Sequence, residues 1–364
     1  MRRLRSVERR HKDSQRGRVC QLAGGQGSAC EERAATRCRA AAGSDLAPTG
    51  CYTPVVRTAA RQATEDGRAP VPCPACGGER FSSAFEKRGY RFEHCDSCRF
   101  LRVNPQPSPS ELAAFYAASY RDSGYQEFAR ADSIRRAIAE HRFARIVREA
   151  PRARRWLDVG ASTGAFVRAV VEGSRALPAA AAGNGHVVAE GIELSQEAVA
   201  TARREGLELH HSSIEDFEAR GAYDVVTAFD VLEHLREPQV LLDKCREWLA
   251  PGGVLVLTVP DIGSLPARLM GRFWYYVDPP GHLHYFDSGS LGSFFARHGF
   301  TPRVIEPAYK VLTLAYSFEV LRRLNPGLAP LARGLGSVLP RSVLTRQRRL
   351  GIGELLAMAT PRAL

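Results

Sequence analysis

Leu157-Asp158-Val159-Gly160-Ala161-Ser162-Thr163-Gly164 is an apolar strand run that breaks into a glycine-rich turn, and a helical pattern from Gly164 to Glu172 follows at once. Glycine in such a turn lets the backbone approach a ligand and enter a helix without a side-chain clash. The rhythm repeats downstream. VVAEGIEL (187–194) reads as a second strand and Ser195 to Glu205 as a second helix. LELHHSS (207–213) and YDVVTAFDVLEHL (223–235) read as further strands, the latter running into a turn. A helix from Pro238 to Leu249 and the turn Pro251-Gly252-Gly253 lead into VLVLTVP (254–260). Alternation of this kind predicts an α/β fold, a doubly wound and mostly parallel sheet with helices on both faces. A helix over Ser290 to His298, a strand over Phe300 to Glu306 and a last strand in GELLAMAT (353–360) complete it.

The second strand ends at Glu193. A carboxylate at the tip of the strand beside a glycine turn can accept hydrogen bonds from both hydroxyls of a ribose, which points to an adenosine-bearing cofactor. Two rival readings use the same turn. Gly160-Ala-Ser-Thr-Gly164 fits the G-x-S-x-G nucleophile elbow of a hydrolase, with Asp261 and His282 or His298 as partners. That reading leaves Asp158 and Glu193 without a task. A nicotinamide dinucleotide site wants G-x-G-x-x-G, and Ser162 together with the missing third glycine count against it.

LDVGASTGAF, GIELS, YDVVTAFDVLEHL, LAPGGVLVLTVPD and PPGHLHYFD, in this order, resemble the class I S-adenosylmethionine-dependent methyltransferases. The likeness is nearest to the small-molecule group related to ubiquinone and sugar C-methyltransferases, whose bacterial members often begin with a CPxC…CxxC knuckle and an N-P-x-P-S segment. It covers residues 71–308 and the final strand. The resemblance implies a Rossmann-like sheet and a methyl group passed from S-adenosylmethionine to a small-molecule acceptor, with C- and O-methylation both open. Asp158, Gly160 and Gly164 would line the methionine side of the donor, and Glu193 would hold the ribose. Ser213, Ile214 and Glu215 would flank adenine, and Phe229 and Asp230 would close the site near the methionine moiety. Ser162 and Leu194 complete the implied donor-binding set. Ser162 departs from the family's middle glycine, which fits a side chain turned away from the ligand. Glu193 falls later than the pattern, because LPAAAAGNG (177–185) reads as an insertion.

Methyl transfer from a sulfonium is an in-line displacement, so a general base is needed only where the acceptor must lose a proton. The candidates are His234, just past the fourth strand, and His282, His284 and Tyr285 in the PPGHLHYF loop. An imidazole near neutrality could take such a proton; a packed, hydrogen-bonded histidine is the plainer reading. Phe273, Trp274, Tyr275 and Tyr276 precede that loop and read either as a lid on the core or as an aromatic wall for the acceptor.

N-terminal to the sheet, residues 106–150 read as a helical linker or lid, with Phe115 and Tyr116 in one helix and Ile134, Ile138, Phe143 and Ile146 on one face of another. Residues 71–105 hold Cys73-Pro-Ala-Cys76 and Cys95-Asp-Ser-Cys98, separated by 18 residues. Paired CxxC spacing predicts a four-thiolate zinc ribbon, and four thiolates close the coordination shell, so the zinc would be structural. Such a ribbon can bind nucleic acid, which keeps an RNA methyltransferase or a non-catalytic ribbon module as alternatives. Arg80, Lys87, Arg88 and Arg91 are balanced there by Glu79, Glu86 and Glu93, which argues against a phosphate-binding face.

The charge is uneven. The chain of 364 residues carries a net +12, and both the head (1–70) and the segment 309–350 are strongly basic, which leaves the body between them nearly neutral. That distribution speaks against a polyanion embraced by the whole protein. The head lacks periodicity and reads as disordered. Residues 151–308 form the expected donor-binding domain, 309–350 a basic helical insertion and 351–364 the final strand and tail. The apolar runs with arginines in 311–349 are either a helical cap over the acceptor site or an anchor for peripheral membrane contact. The N-terminus has no apolar signal core, so a cytoplasmic protein is expected, and nothing in the sequence sets an oligomeric state.

Overall fold

The computed structural model describes residues 71–121, 132–175, 187–219, 221–318, 329–346 and 348–362. The basic head (1–70), the expected insertion at 177–185 and part of the basic segment lie outside the described residues.

Two sheets organise the chain. The larger has seven strands in the order β10-β11-β8-β7-β4-β5-β6. Its strands are β4 (Arg155–Val159), β5 (Val188–Glu193), β6 (Glu208–His211), β7 (Tyr223–Phe229), β8 (Leu249–Pro260), β10 (Phe300–Leu312) and β11 (Arg348–Pro361). β4 pairs parallel with β5 and β7, β5 with β6, and β7 with β8. The final hairpin is antiparallel, with β11 inserted between β8 and β10. The parallel strands are buried on both faces, which is why they read as continuous apolar runs rather than alternation. The smaller sheet is β1 (Phe81–Lys87), β2 (Tyr90–Cys95), β3 (Leu101–Val103) and β9 (His284–Tyr285).

The helices that matter for the site are α1 (Pro109–Arg121), α2 (Asp132–Val147), α3 (Ala165–Arg175), α4 (Gln196–Arg204), α5 (Gln239–Trp248), α6 (Leu265–Met270) and α7 (Ser288–Arg297). α4 starts at the Ser195 cap, whose side chain accepts from the Ala198 N–H. α2 buries Ile134, Ile138, Ala139, Phe143 and Ile146. It can approach α3 because Gly173 leaves room for the Phe143 ring, only 2.4 Å from where a Cβ would stand. That close packing aims the arginines of α2 at the end of the sheet.

The last strands differ from the sequence expectation. β10 runs on to Leu312, and β11 begins at Arg348, six residues before Glu354. The pairs Lys310↔Leu350, Val311↔Arg349 and Leu312↔Arg348 extend the hairpin into residues expected to be helical. Pro302 and Pro307 are tolerated because β10 is the edge strand. Within the rest of that basic segment, α8 (Ala329–Val338) and α9 (Arg341–Thr345) are helical. Among the described residues, no helix is long and apolar enough to cross a membrane.

Candidate functional site

The C-terminal ends of the parallel strands open on a cavity of about 1220 Å³. Open α/β sheets place ligands there because the strand tips and helix N-termini converge. The volume exceeds the 300–1,000 Å³ common for one small-molecule ligand, which leaves room for two.

One flank is the turn after β4. Gly160 and Ala161 donate backbone N–H groups to the Ile192 carbonyl at 2.9 and 3.0 Å, which ties the turn to β5. Gly160 and Gly164 have φ of +71° and +80°, a region that favours glycine. A Cβ on Gly160 would also stand 2.7 Å from Val231, and one on Gly164 2.6 Å from Leu207. Ser162 adopts φ +51° where the family pattern has glycine, and its N–H donates to Glu193 Oε2 at 2.9 Å. The Ser195 N–H donates to the other carboxylate oxygen at 2.8 Å. Two backbone amides thus fix Glu193 at the tip of β5, against the cavity.

Asp158, Gly160, Ser162, Glu193, Leu194, Ser213, Ile214, Glu215, Phe229 and Asp230 all line this cavity; Gly164 shapes the turn but is not among the lining residues. Asp158 is buried and accepts from Thr227 Oγ1 at 2.6 Å. Burial raises its pKa to about 7, against the lowering effect of Thr227 and of the Arg142 charge. A carboxyl raised in this way favours folding while protonated and costs stability as pH climbs from the unfolded value near 4 through 7. Asp158→Asn should therefore abolish part of the stability loss between pH 5 and pH 8, by up to about 3 kcal/mol. Urea unfolding at the two pH values measures it, and equal pH slopes for both proteins would contradict it.

The opposite flank carries a partly buried ionic cluster. Asp230, in the left-handed region at φ +57°, accepts from Arg142 Nη2 at 3.4 Å, Lys310 Nζ at 3.3 Å and Thr258 Oγ1 at 3.0 Å. Lys310 also donates to the Tyr276 hydroxyl at 3.2 Å and is ion-paired with Glu354, to which the Tyr276 hydroxyl donates. Burial pushes Asp230 up, but Lys310 and Arg142 outweigh it and hold the carboxyl well below the usual range. Glu354 has no exposed side chain; burial and then the charge of Asp230 push it well up, while burial pulls Lys310 down. Arg142 lies 4.2 Å over the Phe229 ring. Arg135, also on α2, reaches Thr163 in the glycine turn at 2.5 Å.

The three histidines separate. His234 lines the cavity, with Nδ1 2.8 Å from the Gly281 carbonyl and 3.1 Å from the Tyr116 hydroxyl. Because a carbonyl only accepts, the proton sits on Nδ1. Burial, then the neighbouring His282, pull its pKa down to about 3, so the ring is neutral near pH 7. His282 and His284 do not line the cavity, which corrects their expected place in an acceptor pocket. His282 stands behind His234, with ring centroids 4.6 Å apart, and donates from Nδ1 to the Tyr276 carbonyl at 2.7 Å. His284 is drawn away because β9 pairs with β3, where its ring stacks on Phe100 at 5.5 Å. Burial lowers its pKa to about 4. The histidines required by a nucleophile elbow are also engaged elsewhere, His298 with the Pro74 carbonyl at 2.9 Å.

Sequence reasoning missed Arg135, Arg142, Lys310 and Glu354. Lys310 alone left a trace, as one cation in the apolar alternation Ala308, Lys310, Leu312. Of the aromatic group, Tyr275 and Tyr276 line the cavity, Trp274 is fully buried and Phe273 is exposed. Among the described residues, three clusters could hold a metal: the four ribbon cysteines, Glu233 with His234 and His282, and Glu190 with Glu208 and His210. The thiols of Cys73, Cys76, Cys95 and Cys98 converge, with Cys73–Cys98 and Cys76–Cys95 sulfurs each 3.6 Å apart. Glu233, His234 and His282 also bring ligand atoms within 4.8 Å of one another.

Residues 125–304 match a family model described as a methyltransferase domain. A ubiquinone biosynthesis O-methyltransferase of Aromatoleum aromaticum is 32% identical over 108 residues, 28% of this chain and 41% of the relative. One of the same name from Thiobacillus denitrificans is 37% identical over 111 residues, 27% of this chain and 46% of the relative. The chain thus spans less than half the length of these relatives. A crystal structure from Thermotoga maritima, described as an S-adenosylmethionine-dependent methyltransferase and possible histamine N-methyltransferase, aligns with 65% of this chain and 94% of its own. Its identity is 16% and its TM-score 0.42.

Proposed function

We propose that residues 125–304, which match a family model described as a methyltransferase domain, are a class I S-adenosylmethionine-dependent methyltransferase domain, and that the chain transfers the donor's methyl group to a small-molecule acceptor. The observation that carries this reading is Glu193, pinned by the Ser162 and Ser195 amides beside the glycine turn in a cavity large enough for two ligands. The ribose hydroxyls would donate to Glu193, and adenine would lie against Ser213, Ile214 and Glu215. The methionine moiety would follow Asp158, Gly160 and Ser162 toward Phe229 and Asp230, with Arg135 near its carboxylate. The donor's electrophilic methyl is the only chemistry the cofactor supplies; the protein aligns it with the acceptor's nucleophile.

The acceptor would occupy the remaining space, between Tyr116, Tyr275, Tyr276 and Lys310. His234, neutral and with Nε2 unprotonated, is the histidine left to contact it, as a hydrogen-bond acceptor rather than a strong base. Leu312, Tyr316, Ser317 and Phe318 line the same cavity, which favours the cap over the membrane anchor for that part of residues 311–349. The four cysteines fit zinc. A tetrahedral site with Zn–S bonds near 2.3 Å has sulfurs about 3.8 Å apart, close to the 3.6 Å found and far from a disulfide bond.

Incubating the protein with methyl-labelled S-adenosylmethionine and metabolites that co-purify with it tests the proposal. Release of S-adenosylhomocysteine together with a labelled small molecule is the expected result. Label appearing only in RNA or in no molecule would overturn it.

A further inference from the structure

The ribbon is joined by backbone hydrogen bonds to β9 and the residue before it. Its second knuckle is tied to β3, since the Cys95 N–H donates to the Phe100 carbonyl at 2.8 Å. β3 pairs with β9 at Leu101↔Tyr285 and Arg102↔His284, and the Val103 N–H donates to the Leu283 carbonyl at 2.9 Å. The Leu283 N–H in turn donates to the Glu233 carbonyl at 2.8 Å, one residue before the cavity-lining His234. From the β1–β2 turn, Lys87 Nζ donates to the Val277 carbonyl and Arg88 pairs with Asp278. Phe92, Leu101 and Val103 of the ribbon share one buried cluster with Trp274, Val277 and Tyr285. The segment 274–285 therefore rests on the ribbon along its length while presenting Tyr275 and Tyr276 to the cavity. The strands that carry Asp158 and Glu193 share a core cluster with Cys73, Cys95 and Phe100, but their backbone and that of the strand before Ser213 pair only with one another and with β7, not with the ribbon.

We propose that the four-cysteine ribbon is a positioning element for the acceptor side of the cavity: with its metal bound it holds the 274–285 wall in place, and without metal that wall loosens while the donor side stands. This rests on the methyl-transfer reading for what the wall contacts, but not for the coupling itself. The residues that act are not catalytic. Cys73, Cys76, Cys95 and Cys98 fix the ribbon, and the ribbon fixes Tyr275, Tyr276 and, through Leu283, the backbone of Glu233–His234. Such coupling needs no large motion, because packed side chains and ladder bonds transmit the loss of one neighbour directly.

The test compares the zinc-loaded full chain with protein whose metal has been removed by a thiol reagent and a chelator, with release followed by a zinc-sensitive dye. Hydrogen exchange is read in peptides covering 274–285 and 188–195, and binding of S-adenosylhomocysteine is measured by calorimetry. Metal removal should raise exchange in 274–285 by about tenfold or more and leave 188–195 protected. Donor affinity should change by less than about threefold. Lys87→Met, which keeps all four cysteines, should raise exchange around Val277 with zinc content unchanged. Unchanged protection of 274–285 after metal release, or equal loss in both segments, would overturn the proposal. Exchange is read without any ligand, so failure of the loaded protein to bind S-adenosylhomocysteine would strike the functional reading alone.

Discussion

Glu193→Ala should weaken binding of S-adenosylhomocysteine by about ten- to a hundredfold, since hydrogen bonds to a charged, buried acceptor contribute on the order of 1–3 kcal/mol. Glu193 is only 9% exposed and its carboxylate is already oriented by two amides, so the donor need not order it on binding. Ser162 lines the cavity, where water can take the place of the lost carboxylate on its N–H, so the melting temperature should move little. Calorimetric titration of the variant separates the two effects. Unchanged affinity would remove Glu193 from the ribose role, and a large fall in melting temperature would mark it as structural.

Lys310→Met is the second large effect. The ammonium is the partner of a Glu354 side chain with no solvent exposure and one of two cations on Asp230. Taking away one member of a buried pair costs about 3 kcal/mol or more, because the other is left uncompensated. The sign of the pH dependence follows from Asp230, whose carboxyl Lys310 and Arg142 hold well below the usual range. Without Lys310 that depression shrinks, so the stability it contributes above the unfolded pKa near 4 is reduced, and the difference fades as pH falls below it. Urea unfolding should show a penalty of about 3 kcal/mol at pH 7 that shrinks below pH 4. A penalty flat with pH would contradict this description of the cluster.

The parts of the site that could be read in the sequence are local in it. Gly160, Ser162 and Gly164 lie in one turn, and Glu193 ends the next strand, so a strand–turn pattern was enough to bring them together. The ionic cluster is different. Lys310 and Glu354 meet because β10 and β11 pair across an excursion of more than thirty residues, and Arg142 joins them only because α2 packs on α3 over Gly173. No short-range period encodes those meetings. His284 misled for the same reason: its loop resembles a family motif, but two residues of pairing with β3, nearly two hundred positions away, turn it into the ribbon's sheet. The basic segment around 309–350 looked helical because its strand portions are short and carry arginines, whose place in the hairpin is set by the partner strand.

A crystal structure of the zinc-loaded protein with S-adenosylhomocysteine tests the central claim most directly. It should show both ribose hydroxyls within hydrogen-bond distance of the Glu193 carboxylate and the thioether sulfur facing Asp230 across open space toward Tyr276. A ligand bound elsewhere, or a cleft filled by the protein's own side chains with Glu193 still held by Ser162 and Ser195 alone, would contradict it.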